Sequence, residues 1–273
     1  MFAKLLKYEW KANVKLLSLL GGCALGLGCI AALVLRLLTG NFETIAESEI
    51  AVLLMIPSVF FLFAAFMGIF LFSVCVQYIL LYRFYKSRFT DEGYLMFTLP
   101  VKTTHLFLSS AVNHLIWSAI AYVVIILSFA IAIGLGPVWP DEFTREFSTA
   151  FTEMSILSNG VFGPGYAITG IFSVLVMGVY SVVGPMSAVV LGASLAKKHK
   201  ILAIIGILIG LSMVTGMASG IITGLAEFIV FAMDDLSLFT TIMPLLNCIV
   251  PLALTIGGYF LSIHIMKHRL NLP

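Results

Sequence analysis

The chain has 273 residues, of which 61% are hydrophobic and 10% charged, with a formal net charge of +2. Soluble domains carry about 25% charged residues, so this composition excludes a soluble globular protein and predicts a chain that folds in lipid. The predicted fold class is all-α, a polytopic bundle of membrane-spanning helices.

The first predicted element is a basic amphipathic helix over residues 1–15. Its lysines recur at spacings of three and four residues, which is helical periodicity, and apolar side chains occupy much of the other face. Such a helix lies in the membrane interface, with its lysines among the headgroups and a tryptophan at the boundary. The alternative is a frayed basic tail. The residues of this predicted elbow are Lys4, Lys7, Trp10, Lys11 and Lys15.

Six apolar runs follow the elbow. Each is long enough to cross about 30 Å of hydrocarbon, which takes about 20 residues. The fourth run is long enough to tilt or break at Gly184-Pro185. We expect an elbow over 1–15 and one transmembrane domain over 16–273. The six predicted spans cover residues 16–38, 52–82, 106–135, 166–196, 201–224 and 242–266.

The distribution of charge predicts how these spans are oriented. Short cytoplasmic loops collect Lys and Arg. If both termini are placed inside, thirteen of the fifteen basic residues fall on the inner side and ten of the thirteen acidic residues on the outer side. The sequence therefore predicts six helices with both ends in the cytoplasm, since the opposite orientation would put nearly all the bases on the wrong side.

Residues 83–100 form a charged, aromatic island between the second and third spans, on the predicted inner side. Pro100 ends any helix before the third span resumes, and Gly93 allows a turn or close packing. Asp91 and Glu92 suit the start of a short helix because they complement its dipole. One interpretation is a connector lying on the membrane. The other is a docking helix that fits a groove on a cytosolic partner.

On the outer side, two links carry predictions. The link at 225–241 is apolar for a loop and too short to cross the bilayer. We expect it to dip into the outer leaflet and return, which is tolerated where protein covers the backbone, with Glu227 near the outer mouth of a pathway. The loop at 136–165 has an aromatic stripe that fits a short amphipathic helix and a solvated loop equally well.

The fifth span is rich in glycines that stand four residues apart. Small residues at this spacing let membrane helices approach closely, so the pattern predicts helix packing, including packing between two chains. The glycines are Gly206, Gly210, Gly216, Gly220 and Gly224.

The sequence lacks the motifs of enzymes and of ion-coupled transporters. It has no phosphate loop, no H-E-x-x-H and no G-x-S-x-G, and its four cysteines and five histidines show no metal-ligand spacing. The central thirds of the spans contain no Asp or Glu, which argues against proton- or sodium-driven transport. For His114, inside the third span, a neutral hydrogen-bonded role is favoured over a functional one. We predict no catalytic, metal or cofactor site, so the chain is not expected to be an enzyme.

Two motifs resemble those of a known family. Asp91-Glu92-Gly93-Tyr94-Leu95, followed by Thr98-Leu99-Pro100-Val101, resembles the Glu-Gly-Tyr-Leu…Thr-Leu-Pro pattern of bacterial ABC-2 type transporter permeases. The basic opening from Lys4 to Lys11 resembles their elbow helix. The six-span plan is similar over essentially the whole chain.

The resemblance implies a bacterial cell-membrane exporter subunit that dimerises, as a homodimer or with a related chain. A separate cytosolic ATPase would hold ATP and Mg, this chain would bind no cofactor, and no nucleic acid would be involved. The cargo would be amphipathic or hydrophobic, such as a peptide, lipid-like molecule or drug. The alternative is a non-transporting immunity, anchoring or sensory subunit in the membrane.

The resemblance also assigns two sets of residues. The segment between spans two and three becomes the coupling helix, through Arg83, Lys86, Arg88, Asp91, Glu92, Gly93, Tyr94 and Leu95. The apolar link becomes an outer gate, through Glu227, Phe228, Phe231, Asp234 and Asp235.

Overall fold

A computed structural model describes most of the chain, and its regular elements are all α-helices in the described residues. Those residues are 2–40, 49–98, 101–135, 145, 146, 148, 149, 152, 164–196, 198–233 and 236–268. The helices are α1 (Phe2–Gly40), α2 (Glu49–Phe89), α3 (Asp91–Thr98), α4 (Thr103–Leu135), α5 (Pro164–Leu195), α6 (Lys200–Met233) and α7 (Leu236–His268).

Six of these helices are long and apolar enough to cross a membrane, which confirms the predicted all-α, multi-pass architecture. The seventh, α3, has only eight residues and joins α2 to α4. Helices α1, α2, α6 and α7 extend beyond the predicted runs at both ends, whereas α4 ends at the predicted residue 135 and α5 ends at Leu195. Between residues 2 and 20 there is neither Gly nor Pro, so residues 2–15 continue into the first span as part of α1 instead of forming a separate helix.

Two further stretches differ from the expected breaks. Helix α5 passes through Pro185 without interruption. The link predicted to dip into the membrane is helical where the structure describes it, since α6 continues to Met233 and α7 begins at Leu236. Between residues 225 and 241 there is again neither Gly nor Pro, and that this link dips into the outer leaflet stays a prediction.

The chain divides into two compact units, one of which comprises residues 1–2, 81–115 and 149–273. Its core is formed by the end of α2, the start of α4, the second half of α5, the start of α6 and the end of α7. Helices α5 and α6 approach closely because Gly192 has no side chain, and a Cβ there would come within 2.7 Å of the Ile204 backbone. The fully buried centre is Phe107, Val182, Met186, Val189 and Val190.

The other unit comprises residues 3–80 and 116–148, and so contains most of α1, most of α2 and the second part of α4. Helices α1 and α4 cross with almost no gap at Gly28, where a Cβ would lie 2.7 Å from the carbonyl oxygen of Ser128. The Ser128 hydroxyl donates to the carbonyl of Ala24 over 3.2 Å. Small residues and short hydroxyls thus hold these two helices together, as in other membrane bundles.

Candidate docking corner

The island predicted between the second and third spans folds as a helix–turn–helix corner. We call residues 83–98 the corner: the last turns of α2, the bend at Thr90, and α3. Thr90 fixes the bend from both sides. Its hydroxyl donates to the carbonyl of Lys86 over 2.6 Å, and its own carbonyl accepts from the Gly93 N–H over 2.8 Å. The end of α2 and the start of α3 are therefore capped by one residue.

Gly93 packs directly against the backbone at the end of α2. It is buried, and a Cβ at this position would lie 2.7 Å from the carbonyl carbon of Arg88 and nearer still to its oxygen. Because the obstacle is backbone, no side-chain rearrangement can relieve it. The close approach explains why a glycine stands here, and it sets the direction in which α3 leaves α2.

Arg88 lies beneath the corner with 0% of its surface exposed. Its Nη2 donates to the backbone carbonyl of Leu106 and to the hydroxyl of Ser110, each over 3.1 Å. Both acceptors lie in the first two turns of α4. These two hydrogen bonds join the end of α2 to the start of α4. Arg88 was predicted as a coupling residue, and its burial means that any such role is exerted through α4.

An aromatic cluster surrounds this joint. The Phe84 ring meets Phe89 and Phe107 edge-to-face, with centroids 6.1 and 5.9 Å apart. Phe107 in turn meets Tyr259 of α7 at 5.8 Å, and Tyr85 stacks on Phe89 at 6.2 Å. Ring pairs of this geometry add about 0.5–1.5 kcal/mol each beyond the area they bury. The corner is therefore tied to α4 and α7 as well as to α2.

One edge of the corner, formed by Lys86 and Glu92, is exposed and charged. Lys86 and Glu92 are 53% and 57% exposed, and their charged atoms are 3.3 Å apart. An exposed ion pair contributes about 0–1 kcal/mol, so either member can exchange its partner for a group on another protein at little cost. Arg83 is half-buried one turn before Lys86. The side chains of Asp91, Tyr94 and Leu95 lie outside the described residues, although their backbone belongs to α3.

The sequence did not reveal which groups accept hydrogen bonds from Arg88, or which rings complete the aromatic cluster. Leu106 contributes only its backbone, which no side-chain pattern reports. Ser109 and Ser110 did carry a signal, because two adjacent hydroxyls in the first turns of an apolar span are candidates for a buried polar partner. The polar stripe continues along α4 with Asn113 and His114, each 3% exposed.

The predicted elbow residues occupy the first half of α1. Lys4, Lys7, Lys11 and Lys15 are all exposed, while Trp10 is half-buried. The Trp10 ring stacks on that of Trp117, with centroids 4.7 Å apart. The four lysines are thus exposed and the indole is partly sheltered; that this segment lies in the membrane interface as an elbow stays a prediction.

The predicted outer gate is described only in part. Glu227 and Phe228 are exposed near the end of α6. The Phe231 side chain and residues Asp234 and Asp235 lie outside the described residues. Closest to this region, the Thr223 hydroxyl donates to the Asn247 side-chain oxygen over 2.7 Å and joins α6 to α7.

The glycines of α6 do not pack within the chain. Each of the five is exposed, and a Cβ added to any of them meets no atom within 4 Å. Only 6% of the most apolar window of α6 is buried, against 22–50% for the other five spans. Helix α6 therefore presents a smooth, uncovered ridge made by Gly206, Gly210, Gly216, Gly220 and Gly224.

Comparison with known proteins adds no assignment, since no family model, curated protein or solved structure matches this chain. The functional argument therefore rests on the corner, the α6 ridge and the motifs in the sequence.

Proposed function

We propose that the chain is the membrane-spanning permease subunit of an ATP-driven exporter of the ABC-2 type. The observation that carries the proposal is the corner: an exposed charged edge where α2 meets α3, with Gly93 packing α3 on the end of α2 and Arg88 joining that end to α4. A partner that moves such an edge moves the bundle, because Gly93 and Arg88 leave little room for α3 to move alone.

The corner would act as a coupling helix. A cytosolic ATPase that binds there and changes shape with ATP biases the bundle between two states, to the extent that its contacts differ between them. Glu92 and Lys86 supply contacts to the ATPase, Gly93 sets the angle of α3, and Arg88 carries the displacement to the start of α4. ATP and Mg would be held by the ATPase, which fits a sequence without a phosphate loop.

The lack of carboxylates in the central thirds of the predicted spans supports an external source of energy. A pathway without ionisable groups at depth suits a hydrophobic or amphipathic cargo more than an ion. In this proposal Glu227 and Phe228 stand at the outer end of the pathway, and the exposed lysines of α1 rest in the inner headgroup layer as the elbow.

A second permease copy would cover the later half of the glycine ridge of α6, at Gly216, Gly220 and Gly224. Between membrane helices, association depends on close packing, because lipid tails are as apolar as the side chains. The uncovered ridge is suited to such packing, while the other spans are better covered by their own chain. We place the second copy against α6.

The dimer gives a sharp prediction. We expect Gly220→Leu to convert the dimer to monomer, since the new side chain would stand between the two copies while meeting nothing in its own chain. Size-exclusion chromatography with light scattering in mild detergent measures the mass. The thermal midpoint of the monomer should not fall.

Gly192→Leu is the matched control, because its side chain would strike the Ile204 backbone inside the chain. That variant should lose stability, whatever happens to the dimer. A Gly220→Leu protein that stays dimeric would show that the ridge is covered by lipid and not by a second copy.

Co-purification tests the function as a whole. The chain is extracted from its native membranes in mild detergent, and bound proteins are identified by mass spectrometry. We expect an ATPase with a phosphate loop in stoichiometric amount, and an ATPase activity that responds to cargo. Recovery of the chain with no ATPase would favour an anchoring, immunity or sensory protein instead.

A further inference from the structure

A cavity of about 450 Å³ opens where the last turns of α2 meet the first turns of α6. Such a volume is within the range of ligand sites, roughly 300–1,000 Å³. Its two kinds of wall differ sharply in chemistry. One wall is basic and comes from the link before α6, and the other is aliphatic and comes from the first turns of α6 itself.

The basic wall consists of Lys198, His199 and Lys200. Lys198 and His199 are exposed and Lys200 is half-buried. No acidic residue lines the cavity among the described residues. This basic wall therefore attracts an anion, and Lys198 and Lys200 both line it.

The aliphatic wall consists of Ile201, Leu202 and Ile205, which are 58%, 71% and 47% exposed. The exposed face continues along α6 through Ile209 and Met213, at 55% and 60%. From Lys200 to Met213 the helix rises about 20 Å, at about 1.5 Å per residue. That is about half the distance across a bilayer with its headgroups, so the strip matches one acyl chain in one leaflet.

The position of the two walls selects the ligand. The charged wall lies at the end of a membrane-spanning helix, where headgroups stand, and the apolar strip leads from there toward the bilayer centre. Tyr85 closes the cavity from α2, and tyrosines are common at the level of the headgroups. Basic pockets between helices at the inner surface of a membrane bind anionic lipid headgroups.

We propose that this cavity is a binding site for an anionic phospholipid of the inner leaflet. The lipid phosphate lies on Lys198 and Lys200, and one acyl chain follows Leu202 and Ile205 along α6. Because Tyr85 stacks on Phe89 in the corner, the bound lipid also contacts the helix that leads into the corner. The inference needs the chain to lie in a membrane, but it does not depend on transport or on an ATPase.

The test is a lipid titration of the purified, delipidated full chain by native mass spectrometry. We expect dioleoylphosphatidylglycerol to bind at lower concentration than dioleoylphosphatidylcholine. The double variant Lys198→Gln/Lys200→Gln should lower the affinity for the anionic lipid about 30-fold, since each Lys near the headgroups contributes about 1 kcal/mol. Affinity for the zwitterionic lipid should hardly change.

Lys102→Gln/Lys267→Gln is the matched control, because it removes the same charge from other predicted inner segments, and both lysines are exposed. An equal fall in this control would mean that the lipid responds to net charge alone and would overturn the site. Thermal unfolding in detergent checks that both double variants are folded.

Two further experiments distinguish a bound lipid from a bound free phosphate. Glycerol 3-phosphate at millimolar concentration should not displace the anionic lipid, and Ile205→Asn should weaken dioleoylphosphatidylglycerol by severalfold. The lipid proposal is wrong if glycerol 3-phosphate displaces the bound anionic lipid, or if Ile205→Asn leaves the affinity for dioleoylphosphatidylglycerol unchanged. Either result would mean that the cavity binds phosphate without the acyl chain.

Discussion

We expect Gly93→Ala to abolish the binding of the ATPase while the rest of the bundle stays folded. The added Cβ would lie 2.7 Å from the Arg88 carbonyl carbon. Real Cβ contacts are longer, so α3 has to swing away from α2 or the end of α2 has to unwind. Either change moves Glu92 away from Lys86 and alters the docking edge. The measurement is the amount of ATPase recovered with the tagged chain, which should fall at least tenfold.

Gly134→Ala is the control, because a Cβ there meets nothing within 4 Å. The variant should bind the ATPase like the natural chain. Circular dichroism should show the same helix content for both variants, since α3 contributes only eight residues. Normal recovery of the ATPase with the Gly93→Ala chain would mean that the geometry of the corner is not what the ATPase recognises.

The second large effect is expected at Arg88, where a substitution should lower transport coupling without lowering the thermal midpoint. Arg88→Met keeps much of the volume of the side chain and removes the charge. Replacing a buried charged group by an apolar one of similar size is often neutral or stabilising by about 1–4 kcal/mol. The carbonyl of Leu106 also keeps a donor in the Ser109 hydroxyl, at 3.1 Å. We therefore expect the thermal midpoint to stay the same or to rise.

Transport coupling in the same variant should fall at least tenfold, because the two hydrogen bonds from Arg88 to the start of α4 are lost. The readout is the ratio of cargo moved to ATP hydrolysed in proteoliposomes. Arg88→Lys should recover part of the ratio, since both bonds start from the single atom Nη2, and an ammonium keeps the charge and its N–H donors on a shorter side chain. Lys86→Met, at an exposed position, should weaken ATPase binding and leave the ratio among bound complexes unchanged.

A coupling ratio that is normal in Arg88→Met would show that the joint is only structural. A ratio that falls together with the thermal midpoint would show that the variant is simply less stable. The prediction requires the coupling ratio to fall while the thermal midpoint stays the same or rises.

The helical bundle was predictable because hydropathy and length are local properties. A run of about 20 apolar residues has few alternatives to a membrane helix, since backbone groups must be satisfied internally in lipid. Where the helices end was less predictable, since α1 begins at Phe2, well before its predicted run, and α6 continues to Met233, beyond its predicted run. The polarity of the inner and outer sides remains a prediction from the distribution of Lys and Arg.

The corner was predictable in place but not in construction. Charge, Gly93 and Pro100 marked residues 83–100 as a bend, and its docking role stays a prediction. The pattern grouped Arg88 with exposed residues such as Lys86, because sequence spacing on a helix does not tell which charged side chain meets a neighbouring helix. The acceptors at Leu106 and Ser110 lie 18 and 22 residues away in the chain, so their contact with Arg88 depends on tertiary packing.

The glycines of α6 show the reverse case. Their spacing predicted close helix packing, but the chain itself supplies no neighbour for them. A small-residue pattern reports that something packs closely and not what it is. The uncovered ridge is what led us to place a second copy there.

The central claim is that a cytosolic ATPase binds the corner. A photo-crosslink from position 92 tests it most directly. A benzophenone amino acid replaces Glu92, which is 57% exposed, and the labelled chain is irradiated in its native membranes. A second label at Phe260, which is 66% exposed on α7, serves as the control for lipid-facing positions. We predict that the Glu92 label captures an ATPase with a phosphate loop and that the Phe260 label does not. Capture of lipid alone at Glu92, in membranes where that ATPase is present, would contradict the account.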